Sequence, residues 1–115
     1  MITRKPKSGI PIQYRQGDVY LIEAALPPEA RVQPRPQERL VLEYGEVTGH
    51  AHAIYETEAA NLYLAGAKRY LEMCLAAPLR HEEHSQIPLE EKKCYEVLRA
   101  HTWSVLTQLA RQVTD

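Results

Sequence analysis

The sequence contains no phenylalanine, and its 115 residues include only two cysteines and five glycines. The two thiols, Cys74 and Cys94, have no Cys-x-x-Cys partner, which excludes a thiolate zinc site of the usual spacing. Both fall in apolar-alternating segments and read as buried, reduced thiols. No run approaches the ~18 consecutive apolar residues that a membrane helix requires. The basic start, Met1 to Ser8, is followed by no apolar stretch of the kind that makes a secretory signal, so the expected location is cytoplasmic. The glycines are too sparse for a phosphate loop or a dinucleotide fingerprint. Gly45-Glu46-Val47-Thr48-Gly49 lacks the third glycine of that fingerprint and the helix that follows it. There is also no excess of charge: 14 Lys and Arg stand against 15 Asp and Glu, a formal net charge of -1. That balance argues against a protein that coats nucleic acid.

The chain is the size of one small domain, with an ordinary apolar fraction of 44%. Residues 1–16 read as an irregular arm, and 17–115 as a single β-rich domain. Gly17 and Asp18 open the strand-like run Val19 to Glu23. Residues 26–37 form a loop, because the four prolines from Pro27 to Pro36 forbid a helix or a central strand. Alternation predicts strands over Leu40 to Tyr44, His50 to Tyr55, Lys68 to Leu75 and Cys94 to Arg99. Glu58 to Leu64 reads as a strand entering a hairpin at Gly66. Pro78 interrupts the pattern, and Pro88 begins a further turn. About seven short strands at this spacing predict an all-β, mainly antiparallel fold, a small barrel or sandwich. In the tail, Trp103, Leu106, Leu109 and Val113 recur at a helical period, predicting a short C-terminal helix with a final strand as the rival.

Four of the five histidines fall in two short clusters. In Gly49-His50-Ala51-His52-Ala53, a strand would project His50 and His52 from one face. Two imidazoles so placed can share a divalent ion. Glu56 and Glu58 share their phase if the strand continues. In His81-Glu82-Glu83-His84, strand parity separates His81 from His84, and only a bulge, a turn or a helical turn brings them together. The spacing thus offers His50 and His52 as metal ligands, with one of His81 and His84 supplied to a shared site by the second cluster. The rival reading is a solvated polar face without metal. His101 stands alone and reads as structural.

Gly45, His50, His52 and Glu56, followed by Pro78 and His81, resemble the two sequence motifs of the cupins. The resemblance implies a β-barrel whose interior holds a metal on His50, His52, Glu56 and His81. The spacer before His50, the position of Gly66, Leu79-Arg80 in place of a glycine, and the missing asparagine after His81 all depart from the cupin pattern. The stretches Gln16 to Val19, Gly45 to His52 and His81 to His84 also resemble a group of small bacterial and phage-type proteins without an assigned activity.

Two classes of function follow. The first is a cupin-like metal protein, enzyme or sensor, taking Zn, Fe, Mn or Ni and a small-molecule ligand. Glu82 or Glu83 would serve it as general base or would orient a ligand, and Tyr44 and Tyr55 would line the pocket. The second is a non-catalytic module for a protein or RNA partner. It would use the proline loop, Arg31, Arg35 and Arg39, with Arg4, Lys5 and Lys7. Exposed sheet edges make a homodimer an expected device in either case.

Overall fold

A computed structural model describes residues 11–45 and 47–99. Short alternating runs, closed by turns, give ten strands among them: β1 (Gln13–Gln16), β2 (Val19–Glu23), β3 (Arg31–Val32), β4 (Leu40–Tyr44), β5 (Ala51–Ile54), β6 (Ala60–Ala65), β7 (Lys68–Met73), β8 (Ala77–His81), β9 (His84–Leu89) and β10 (Lys93–Arg99). A single 3-10 turn, Thr57–Ala59, precedes β6. Three hairpins have two-residue turns: Gly17-Asp18, Gly66-Ala67 and Glu82-Glu83. Gly17 and Gly66 hold φ of 58° and 63°, a conformation open to glycine at little cost.

The strands form a six-stranded sheet, ordered β1-β2-β10-β7-β6-β3, and a four-stranded sheet, ordered β4-β5-β8-β9. All neighbouring strands in both sheets run antiparallel. The fold is therefore all-β and sandwich-like, and the described strands do not close into one barrel. Val19, Leu21, Leu71, Met73 and Val97 of the first sheet share one core with Leu40, Leu42, Ile54, Leu79 and Leu89 of the second. Each such side chain, fully buried, contributes roughly 1.5–3 kcal/mol of apolar transfer.

Several local expectations change. Gln13–Gln16 is a strand, because Ile12 and Tyr14 alternate inward against the core and the Gly17 turn pairs the segment with β2. The proline loop is extended as expected, but Arg31 and Val32 pair with β6. Pro78 and Pro88 sit inside β8 and β9 as cross-strand partners. Neither has an N–H, and a partner pair that exchanges no hydrogen bonds accommodates both. Strand β5 ends at Ile54, and the 3-10 turn breaks the phase that would have kept Glu56 and Glu58 in line with the histidines. The predicted C-terminal helix and His101 lie outside the described residues.

Two polar links join the sheets at one end. Gln16 is 3% exposed, and its Nε2 donates to the backbone carbonyls of Leu79 (2.9 Å) and Ser85 (3.0 Å), tying β1 to β8 and β9. On β4, Glu43 accepts from Arg69 of β7 and Arg99 of β10, each at 3.0 Å, and Arg99 continues to Asp18 at 3.3 Å. Arg69 also donates to the carbonyl of Leu42.

Candidate functional site

On β5, residues two apart share a face. Ile54 belongs to the core, so His52 points into the same inter-sheet space, where it is 1% exposed. His50 lies just before the strand. The second cluster meets it through a hairpin. The chain reverses at Glu82-Glu83, so His81 and His84 become cross-strand partners, and the parity that separates them along one strand no longer applies. The imidazole centroids lie 4.3 Å apart for His52–His81, 4.7 Å for His81–His84, 5.9 Å for His50–His81 and 6.1 Å for His52–His84. These four rings line an open cleft of about 260 Å³ with Asp18, Gly45, Val47 and Glu83.

Hydrogen bonding fixes the proton on His52. Gln16 Nε2 faces two carbonyl oxygens, so that atom is the amide NH2 and Oε1 is the acceptor. Oε1 lies 2.8 Å from His52 Nδ1, so Nδ1 donates and carries a hydrogen. The remaining nitrogen, Nε2, lies 3.2 Å from Asp18 Oδ1. A neutral ring would therefore direct a lone pair at a carboxylate oxygen, which repels unless a proton or another cation stands between them. Burial is the largest influence on the ring and, with His81 and His84 nearby, holds the His52 pKa below its ordinary value despite Asp18. Burial alone would raise Asp18, but its hydrogen bond and ion pair with Arg99, a backbone hydrogen bond and His52 together lower it.

Gly17 makes this approach possible. A Cβ there would lie 2.7 Å from His84 Nε2 and 3.2 Å from His52 Cε1, so the two rings converge over a backbone that only glycine leaves open. At Gly45 a Cβ would lie 3.1 Å from His81 Nε2. His50 Nδ1 is buried without a hydrogen-bond partner among the described residues and lies 3.6 Å from Glu83 Oε2.

The five candidate ligands thus divide. His50, His52, His81 and His84 come together. Glu56 does not line the cleft, because its carboxylate pairs with Arg80 at 3.2 Å. Glu82, a candidate base, accepts from the Ala51 N–H at 3.0 Å. That bond is the leading cause of its lowered pKa and gives the side chain a place in the strand framework. Glu83 lines the cleft. Tyr44 is exposed, Tyr55 lies between Arg39 and Arg80, and neither lines the cleft. Of the loop arginines, Arg35 bonds Asn61 at 2.7 Å, and Arg39 lies 3.7 Å from Glu82. Gln16 and Asp18, which complete the site, carry no motif. Their sequence signals are adjacency to the Gly17 turn and the resemblance carried by Gln16 to Val19, and neither points to a ligand. Among the described residues, no three His, Cys, Asp or Glu side chains are already gathered to hold an ion, so the ready-made part of the site is the His52–Asp18 pair.

Residues 15–100 match the family model described as Domain of unknown function (DUF8820), and the chain belongs to that family. The matched span contains Gln16, Asp18 and the four clustered histidines. No curated protein and no solved structure matches the chain.

Proposed function

We propose that this DUF8820 protein binds one divalent metal ion, Zn, Fe, Mn or Ni, in the histidine-lined cleft, with His52 and Asp18 as its inner ligands and His84 as the third. One observation carries the reading: Gln16 locks the proton of His52 on Nδ1, so Nε2 presents a lone pair 3.2 Å from Asp18 Oδ1. Two ligand atoms at about 2.0–2.1 Å from one tetrahedral ion are separated by roughly that distance. A ligating histidine typically donates its other N–H to an acceptor that orients the ring, which is the part Gln16 plays. His84 is an exposed hairpin side chain whose Nε2 already lies over Gly17, and rotation about its own bonds supplies the third donor. Two histidines and one carboxylate would leave open positions on such an ion, which would supply Lewis acidity toward a small ligand. The chain's own residues orient the ligands and surround them with the cleft wall.

Equilibrium dialysis of untagged protein against Zn(II), with elemental analysis, tests this reading. About one ion per chain is expected for the wild type, and less than about 0.2 for His52→Ala and Asp18→Asn, a cut-off suited to one site per folded chain. Wild-type protein that stays below about 0.2 contradicts the proposal.

A further inference from the structure

The four rings are not chemically equivalent. The backbone N–H of Glu83 donates to His81 Nδ1 at 3.0 Å. An amide N–H can only donate, so Nδ1 carries the lone pair and the proton of the neutral ring sits on Nε2. Gln16 imposes the opposite arrangement on His52. Two rings 4.3 Å apart therefore offer the same cleft a lone pair from one and an N–H from the other. His81 Nε2–H meets no acceptor among the described residues. A nitrogen that carries a proton does not ligate a metal.

We infer that His81 is a hydrogen-bond donor to a bound ligand and not a metal ligand, and that the cleft takes a small monocarboxylate, held between the open side of the ion and His81 Nε2–H. The inference rests on the metal reading above. Acceptor chemistry and charge set the ligand class. The ion's open side and the His81 N–H would both require an unprotonated oxygen acceptor, which favours a carboxylate oxygen. Glu83 also lines the cleft, which disfavours a multiply charged oxyanion such as phosphate. Size is compatible, since about 260 Å³ lies just below the usual range for drug-sized ligands and admits a small acid.

The test uses the full chain loaded with Co(II), titrated with acetate and followed in the visible spectrum. Wild type, His81→Ala and His81→Gln should each bind about one Co(II). The acetate Kd should weaken roughly tenfold or more in His81→Ala, the effect of losing one hydrogen bond to a charged group. It should stay within about threefold of wild type in His81→Gln, whose amide N–H restores the donor. Loss of Co(II) in His81→Ala makes His81 a ligand and overturns the inference while leaving the metal reading intact. An acetate Kd unchanged in His81→Ala overturns it as well. Failure of every protein, wild type included, to bind Co(II) removes both.

Discussion

At the scale of single residues, Gln16 does more than either histidine motif to define the site. One buried amide donates to two carbonyls and accepts from His52 Nδ1. Gln16→Leu keeps the approximate volume but leaves that N–H and both carbonyls without their partner. Such losses cost about 1–3 kcal/mol for each buried group, and the bonds to His52 and Leu79 are the buried ones, so urea unfolding should show a loss of roughly 2–6 kcal/mol. A change below about 0.5 kcal/mol would mean that the amide is not satisfied as described. Little of this was legible in the sequence. The partners of Gln16 lie 36, 63 and 69 positions away. A glutamine ahead of a Gly-Asp turn looks like any polar residue of a surface arm, and Asp18 looks like a turn former. The inward side chain of His52 was legible because spacing within a strand places side chains without reference to the rest of the fold, whereas the meeting of His81 with His84 depends on the hairpin.

At the scale of elements, the hairpin between β8 and β9 determines which histidines meet. Its two-residue turn makes His81 and His84 direct partners. One glycine inserted between Glu82 and Glu83 should disturb that register and move His84 off the Gly17 backbone. The expected outcome is at least a tenfold weaker Zn(II) Kd, with a melting temperature within a few degrees of wild type, because the insertion falls at an exposed tip. Unchanged affinity would show that His84 takes no part. The strands around Leu40, Lys68 and Cys94 were legible from alternation, and the one at Val19 from the apolar run that Gly17 and Asp18 open. Pro78 and Pro88 misled, because the rule against proline in strands is a rule about hydrogen-bonded positions, and whether a position is hydrogen-bonded depends on the neighbouring strand. Glu56 misled because its phase with His52 assumed a strand that ends at Ile54.

At the scale of the whole molecule, the two sheets share an apolar core and are joined at one end by Gln16 and by the Arg69–Glu43–Arg99–Asp18 chain. The all-β class was legible in the strand count and turn spacing. The division into six and four strands was not, because it depends on β10 returning between β2 and β7. A half-buried thiol beside the core also sets a pH limit. Burial, with the Glu72 carboxylate beside it, pushes the Cys94 thiol up to about 11, and burial raises the Tyr95 hydroxyl too. The unfolded thiol ionises near its ordinary value of about 8.5. The stability that comes from keeping Cys94 neutral is therefore complete below that pH and is lost as pH rises toward about 11. Urea midpoints should fall across this window, and Cys94→Ala should flatten the decline. An equally steep decline in Cys94→Ala would assign the loss to other groups.

The central claim concerns one nitrogen, His52 Nε2, and long-range proton–nitrogen NMR of protein labelled with 15N-histidine reads it directly, before and after one equivalent of Zn(II) at about pH 8. The account predicts that His52 keeps its Nδ1 proton throughout, while the Nε2 resonance moves from that of a bare ring nitrogen to that of a metal-bound one. A His52 ring protonated on both nitrogens and unchanged by Zn(II) would contradict it.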